Sequence, residues 1–174
     1  MLVDLLNTSP EVTRTEDGLA TPEQLEHFAA EHDFTGPLDA TKFDVAAVAA
    51  LRERFKAVAD NEVEAAADAI NLTFREIRTF PQLVRHDHWG WHLHATGNDA
   101  PLSERMASDI ALVLTDLIRS GDLARLRTCA AEDCCAALAD LTKNNSKRFC
   151  DVRNCANRTS VAAYRARRGV RTSE

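Results

Sequence analysis

Apolar residues recur at every third or fourth position over most of the chain, which is the spacing of one face of an α-helix. This pattern predicts helices from Pro22 to about Glu31, from Asp44 to about Asp60 and from Glu62 to Asn71. The densest apolar stripe lies between Pro101 and Ser120, at Met106, Ile110, Val113, Leu114 and Leu117. We therefore predict a mainly helical body with one sizeable hydrophobic core.

Two of these helices have recognisable capping residues. Thr21 precedes Pro22 and Glu23, which is a typical N-cap followed by proline at the first helical position. Gly121 follows the densest stripe and can adopt the left-handed conformation that ends a helix. Residues 1–6 are apolar but too few for periodicity to distinguish a strand from a helix.

The periodicity changes to alternation before the last of these helices. Polar and apolar residues alternate over 82–86 and again over 91–95, and residues 87–90 are typical of a turn. The pattern predicts a β-hairpin near residues 82–95, with Leu83, Trp91 and Leu93 among its packing side chains. The predicted fold class is therefore α+β, mainly helical, with a small sheet.

The hairpin contains four histidines, His86, His88, His92 and His94. Both rings of an H-x-H pair lie on one face of a strand, so two pairs across a hairpin could chelate a transition metal. No cysteine or carboxylate at ligand spacing joins them. We therefore interpret the histidines as the polar face of the hairpin and keep the metal site as an alternative hypothesis.

Charge divides the chain into an acidic part and a basic part. Residues 1–120 contain 10 Lys and Arg and 21 Asp and Glu, a net charge of −11. Residues 121–174 contain 11 and 6, a net charge of +5, and the two values sum to the −6 of the whole chain. This asymmetry is typical of an acidic body with a basic end that attracts polyanions such as nucleic acid.

The amino terminus carries no recognisable targeting signal. Residues 1–10 lack a basic leader and include Asp4. No run approaches the eighteen or so apolar residues that cross a bilayer. We expect a protein that does not enter membranes and stays in the reducing cytoplasm, where clustered thiols serve metal or redox chemistry more often than disulfides.

All five cysteines lie between residues 129 and 155. Four of them form two pairs of equal spacing, Cys129-x4-Cys134 and Cys150-x4-Cys155, with 15 residues between the pairs. Structural zinc is held tetrahedrally by two such short-spaced pairs of thiolates. The spacing predicts one structural zinc ion per chain with these four ligands, and it leaves Cys135 as the spare thiol.

Other interpretations of the cysteines fit the sequence less well. A disulfide framework needs an oxidising compartment and leaves one cysteine over. A redox-active pair is typically C-x-x-C, which does not occur. Buried free cysteines would not explain why the first 128 residues contain none.

The region around the cysteines resembles the CGNR zinc finger. The shared features are two C-x4-C pairs with the residues between and after them, Asp140, Thr142, Asn144, Lys147, Arg148, Phe149 and the run Cys155-Ala156-Asn157-Arg158. The preceding part is similar to the ABATE domain that accompanies this finger, through Asn7-Thr8, the stretch Leu19 to Leu25 and the run Gly121 to Arg127. The sequence departs from the signature at Ala156, where the family has glycine, and Cys135, Ala136 and Leu138 stand where aromatic residues are expected.

This resemblance implies a domain layout and a function. It implies an ABATE-like helical domain over residues 1–124 and a zinc finger with a basic terminal helix over residues 125–174. The family consists of stress-induced bacterial transcription regulators, so the finger is expected to bind DNA and the acidic domain to sense a signal or mediate assembly. Because alanine resists a positive φ, Ala156 would strain the second cysteine turn if that turn needs one.

Six basic residues are the expected nucleic-acid contacts: Lys147, Arg148, Arg153, Arg158, Arg165 and Arg168. A helix that starts after Cys155 would place Arg158, Arg165 and Arg168 in one sector of its surface. Val161 would then face inward. A single finger makes few phosphate contacts, so we expect a homodimer on DNA. The sequence identifies no small-molecule effector.

Two other classes of function are alternatives to DNA binding. A zinc-stabilised protein-interaction module would use the same basic finger on an acidic partner. An enzyme is not expected, because the sequence has no Gly-rich phosphate loop, nucleophile elbow or acid pair.

Overall fold

The computed structural model describes residues 1–34, 36–60, 62–85 and 90–170. The helices in these ranges are α1 Leu2–Asn7, α2 Pro10–Thr13, α3 Pro22–Glu31, α4 Lys42–Lys56, α5 Val63–Glu76, α6 Leu102–Ser120 and α7 Cys155–Val170. The strands are β1 Gln82–Val84, β2 His92–His94, β3 Leu126–Thr128 and β4 Ala137–Ala139. Short 3-10 helices cover Ala57–Asp60 and Leu123–Arg125. The α+β, mainly helical fold class is thus confirmed.

The helix ends follow from the capping residues. Thr21 caps α3 in a capping box, in which its hydroxyl accepts from the amide of Gln24 and the Gln24 side chain accepts from the amide of Thr21. Gly121 ends α6 with a φ of 74°, as the sequence predicts. Helix α5 continues to Glu76, beyond the predicted end at Asn71, because Phe74 and the following Ile77 still pack against the core.

The main core forms where α6 packs against α4 and α5. Its fully buried side chains include Met106, Ile110 and Leu114 of α6 and Phe55 of α4. Leu5 of α1 is also fully buried there, so tertiary packing makes residues 2–7 a helix where the sequence alone could not decide. None of the described helices is long and apolar enough to cross a membrane.

A buried carboxylate joins the starts of α4 and α6. One oxygen of Asp44 accepts from the amide and hydroxyl of Thr41, and the other accepts from the amide and hydroxyl of Ser103. Burial raises the pKa of Asp44, but these hydrogen bonds outweigh burial and lower the pKa to about 2. Asp44 therefore contributes its stability as an ionised group.

Both strands of the predicted hairpin are present, but their faces are exchanged, and residues 87–89 of the predicted turn lie outside the described residues. Strands β1 and β2 pair antiparallel with Leu83 opposite Leu93. These leucines and Trp91 are exposed, Trp91 by 67%, whereas His92 and His94 are partly buried against the body. The prediction that Leu83, Trp91 and Leu93 pack inward is therefore wrong. Each strand has only three residues, so the packing of the neighbouring α6 decides which face is covered.

Val113 of α6 also differs from its prediction. The helical pattern places it on the buried stripe of α6, yet it is 55% exposed. It lies on the side of α6 that borders a cavity rather than on the side that faces the core.

The carboxyl-terminal region is attached to the body through a second small sheet. Strands β3 and β4 pair antiparallel, with Leu126 opposite Ala139. Leu126 belongs to the main core cluster, and Ala139 packs against it. Helix α1 contacts β4, and the 3-10 helix Ala57–Asp60 contacts β3. The cysteine-bearing region is therefore held against the helical body.

We expect Asp44→Asn to lower the free energy of unfolding by about 2 kcal/mol near neutral pH, because an amide cannot accept all four hydrogen bonds. The folded-state pKa of Asp44 lies below its unfolded value of about 3.9, so this contribution is present above about pH 4 and is lost as the pH falls through about 2. Urea unfolding of both proteins over this pH range measures the difference.

The exposed α5 residue Asp68 supplies the matched control, Asp68→Asn, which should leave stability unchanged. Acid also releases any bound metal, but it does so equally from the parent protein, Asp44→Asn and Asp68→Asn. This effect therefore cancels when their free energies of unfolding are subtracted. A difference between Asp44→Asn and the parent protein that stays constant down to the lowest pH would contradict the role assigned to Asp44.

Candidate metal centre

The four cysteines of the two x4 pairs meet at one point of the structure. Their sulfur atoms, on Cys129, Cys134, Cys150 and Cys155, all lie within 4.8 Å of one another. The Sγ atoms of Cys134 and Cys150 are 3.7 Å apart, and those of Cys150 and Cys155 are 3.5 Å apart. A zinc ion with Zn–S bonds of about 2.3 Å separates its tetrahedral sulfurs by roughly 3.8 Å. The cluster therefore has the size of a tetrahedral zinc site.

Short backbone turns bring the sulfurs together. The amide of Cys134 donates to the carbonyl of Ala131, and the amide of Cys155 donates to that of Cys150. The amide of Cys150 points at the sulfur of Cys129, 3.4 Å away. An x4 spacing lets each turn close and aim its amides at the sulfurs, which favours the thiolate form.

The electrostatics of the cluster favour a bound cation. Burial raises the pKa of Cys155 to about 12, and it also raises the pKa of Cys150. Burial acts in the same direction on Cys134, but hydrogen bonds from the Ala136 amide and the neighbouring thiols outweigh it and lower its pKa. Four thiolates this close together require a divalent cation to offset their repulsion and burial.

A small apolar cluster surrounds the sulfurs. Its buried members besides the cysteines are Val12, Ala131, Ala136 and Leu138. Leu141, in contrast, is 88% exposed and does not belong to this cluster. So few apolar side chains rarely hold a fold without a metal, whose binding contributes on the order of 10 kcal/mol in small fingers.

A second buried carboxylate, Asp140, organises the segment between the two cysteine pairs. It accepts from the amide and hydroxyl of Thr142, from the amide of Lys147 and from the guanidinium of Arg127. Burial raises the pKa of Asp140, but these partners outweigh it and keep the pKa below its usual value. Arg125 spans the same segment by donating to the carbonyls of Asp140 and Thr142.

Comparison with known families agrees with this geometry. A family model for the ABATE domain, described as "Putative stress-induced transcription regulator", matches residues 1–121. The chain belongs to the ABATE family. A second model, the CGNR zinc finger, matches residues 125–168, and a search of curated proteins found no match. With this finger and its four clustered cysteines, the ABATE protein described here binds one structural zinc ion.

The ABATE motif Asn7-Thr8 lies at the junction between body and finger. The Asn7 amide group donates to the carbonyl of Ala137 at 3.0 Å and accepts from its backbone amide at 2.8 Å. Thr8 accepts from the guanidinium of Arg52, which also pairs with Asp17. Asn7 thus hydrogen-bonds to the backbone of β4 as a neighbouring strand would. The sequence alone could not reveal this contact, because Asn7 and Ala137 are 130 residues apart.

The substitution in the CGNR signature does not strain the second cysteine turn. Ala156 is the second residue of α7 and has helical geometry. The residue with positive φ is Asn154, at 49°, and asparagine tolerates this conformation. The strain considered for Ala156 therefore does not arise.

The six basic residues expected to contact nucleic acid fall into two groups. Arg153 and Arg158 both pair with Asp133 of the first cysteine turn, and Lys147 pairs with Asp151. Arg14 of the body also reaches Asp133, a contact that sequence reasoning missed because Arg14 and Asp133 are 119 positions apart. Burial raises the pKa of Asp133, but the arginines, Arg158 first, outweigh it and lower the pKa.

The second group is directed outward. Arg165 and Arg168 lie on the exposed face of α7, and Arg148 is exposed beside the ring of Phe149, 5.7 Å from its centroid. The structure therefore separates basic residues that hold the finger together from basic residues on its surface.

The alternative metal site in the hairpin receives limited support. His92 and His94 approach each other, with their Nε2 atoms 3.0 Å apart, whereas His86 and His88 lie outside the described residues. Within the part of the chain that the structure describes, the cysteine cluster is the only group of three or more residues placed to hold a metal ion.

We expect Cys134→Ser to lose the bound zinc and Cys135→Ser to retain about one zinc per chain. The two residues are adjacent, but only the sulfur of Cys134 points into the cluster, whereas Cys135 is exposed and contacts the carbonyl of Glu11. Elemental analysis of protein purified without chelators measures the stoichiometry. Equal zinc in the two variants would show that the ligand set is wrong.

We expect Asn7→Ala to destabilise the junction by about 1–3 kcal/mol, because it leaves the buried amide and carbonyl of Ala137 without partners. Zinc should then pass faster to a competing chelator, since the finger opens more often. A chromogenic chelator measures the rate. Asn71→Ala, on the exposed side of α5, is the matched control, and equal rates in both variants would contradict a supporting role for Asn7.

Proposed function

We propose that this ABATE protein is a transcription regulator that binds DNA phosphates with its zinc finger. In this proposal residues 1–124 form the acidic sensing or assembly domain and residues 125–174 form the finger. Cys129, Cys134, Cys150 and Cys155 hold the zinc, which shapes the surface and takes no part in chemistry. The observation that carries the proposal is the exposed basic helix α7, which starts at the metal cluster.

Helix α7 is anchored at its first residue and is exposed beyond it. Cys155 is fully buried in the metal cluster, whereas residues 156–168 are all exposed. Val161, expected to face inward, is 40% exposed, so that expectation is wrong. Most helical stability in proteins comes from packing, which residues 156–168 lack, so a partner that covers α7 would stabilise it. The major groove of DNA accepts one α-helix.

A groove beside α7 supports the choice of a polyanionic partner. It has a volume of about 860 Å³ and runs between the first cysteine turn and the helix. Arg148, Arg158 and Arg165 line it together with Phe149, Glu132 and Asp133, so its charged lining residues sum to a net charge of +1. Arginine forms bidentate contacts with phosphate, so three guanidinium groups on one groove suit a nucleic-acid backbone.

The arginines of this region differ in whether they pair with Asp133. It engages Arg14, Arg153 and Arg158, so these three side chains position the first cysteine turn against α7 and the body. In the described ranges no ion pair involves Arg148 or Arg165, which makes these two the favoured phosphate contacts. Three arginines around one carboxylate still leave an excess positive charge near the groove.

The remaining features fit a regulator better than an enzyme. Neither matched family is an enzyme family. Four thiolates fill a tetrahedral zinc ion and leave no position for a reactive water. A single finger offers few phosphate contacts, so we propose that two copies act together on DNA in the cytoplasm.

We expect binding to duplex DNA that weakens steeply between about 50 and about 200 mM salt, because bound phosphates release counterions. Replacing Arg148, Arg165 and Arg168 together with Gln should weaken binding by about tenfold or more and reduce the salt slope by up to about three. Fluorescence anisotropy with a labelled duplex measures both quantities.

The control is the triple variant Arg75→Gln, Arg78→Gln and Arg119→Gln, which removes the same charge from exposed positions on the helical body. It should bind DNA like the parent protein. Binding without salt dependence, or equal loss in both triple variants, would contradict the proposal. Nuclease-resistant capture of an acidic protein by the finger would favour the protein-interaction alternative instead.

A further inference from the structure

The helical body contains a cavity that the zinc finger does not share. Its volume is about 340 Å³, within the range of about 300–1,000 Å³ typical of small-molecule sites. It lies between the end of α3, strand β2 and α6. Its apolar walls include Phe34, Leu112 and Val113. The partial exposure of Val113 on α6 is explained by this cavity.

A carboxylate of α6 lies in the wall of the cavity. Asp109 is partly buried, and in the described ranges it forms no hydrogen bond or ion pair. Burial raises its pKa to about 6, although Arg105 and His92 act in the opposite direction. The group is therefore largely ionised at neutral pH while lacking the partner that a buried carboxylate normally has.

The nearby basic groups are engaged elsewhere. The guanidinium of Arg105 donates to the carbonyls of Pro37 and Ala100, so it is held by the loops at the rim. The Nδ1 of His92 contacts the carbonyl of Gly90 and must carry a proton there, because a carbonyl only accepts. Its Nε2 lies 3.0 Å from the Nε2 of His94, so one of these two nitrogens donates to the other.

The electrostatic balance of the cavity favours a positive ligand. Among the described lining residues, the two carboxylates Asp33 and Asp109 outnumber the guanidinium of Arg105. The surrounding residues 1–120 carry a net charge of −11, which raises the local concentration of cations further. An anionic ligand would meet the ionised Asp109 in a partly dry site, where repulsion is strong.

We propose that this cavity binds a small organic cation, a protonated amine on an apolar body, with the ammonium group at Asp109. The apolar body packs between Phe34, Leu112 and Val113. An ammonium donates the hydrogen bonds that the carboxylate lacks, and the walls exclude water from the pair. The site lies in the ABATE domain and does not depend on DNA binding by the finger.

The test uses three probes with the same apolar body and different charge: phenethylamine, phenethyl alcohol and hydrocinnamate. Isothermal titration of the full-length, zinc-loaded protein should show saturable binding of the amine, with the alcohol and the carboxylate about tenfold or more weaker. Asp109→Asn should reduce binding of the amine by about tenfold or more and leave binding of the alcohol unchanged.

Asp116→Asn is the matched control, because Asp116 lies on the same helix, is exposed and pairs with Arg119 at 3.6 Å. It should bind the amine like the parent protein. Val113→Trp is a second variant that keeps every charge and fills the cavity, and it should abolish binding of the amine. Thermal unfolding shows whether each variant is folded. If Asp109→Asn does not fold, the result for Val113→Trp decides the test.

Several outcomes would overturn the proposal. Equal binding of the amine and the alcohol would make the cavity an apolar site, and preference for hydrocinnamate would make it an anion site. Tight binding of Ni²⁺ that is lost in His92→Ala, without binding of the amine, would make it a metal site. No binding of any probe would also refute the assignment. Because these measurements contain no DNA, their result is independent of whether the finger binds DNA.

Discussion

The convergence of four cysteine sulfurs within 4.8 Å is the constraint on which the carboxyl-terminal third of the protein depends. These sulfurs draw together the end of strand β3, the loop before β4 and the start of α7, which have few apolar contacts of their own. Burial makes the ionised cluster unfavourable without a cation. A single zinc ion therefore both closes the finger and determines where the basic helix begins.

The finger is also part of the body's structure rather than an independent appendage. Asn7 pairs with the backbone of β4, Leu126 enters the main core, and Asp133 links Arg14 to the arginines of the finger. Opening the metal cluster would disturb contacts that reach the first helix. Strands β3 and β4 thus connect the helical body to the finger by direct packing.

Buried and partly buried carboxylates have two different roles in this molecule. Asp44 and Asp140 each accept several hydrogen bonds, and their pKa values are lowered because these bonds outweigh burial. Asp109 has the same chemistry in a cavity without such donors, and burial raises its pKa to about 6. A satisfied carboxylate holds segments together, whereas an unsatisfied one is available to a ligand.

The sequence by itself determined the features that depend on neighbours along the chain. Equal cysteine spacings predicted the metal cluster, capping residues predicted the ends at Thr21 and Gly121, and helical periodicity predicted the core of α6. Alternation predicted the hairpin but assigned its faces wrongly at Leu83 and Leu93, and a helical stripe wrongly placed Val113 in the core. Only the tertiary structure decided these points, the Asn7 contact and the cavity at Asp109, because each depends on what lies across from a residue after distant segments pack.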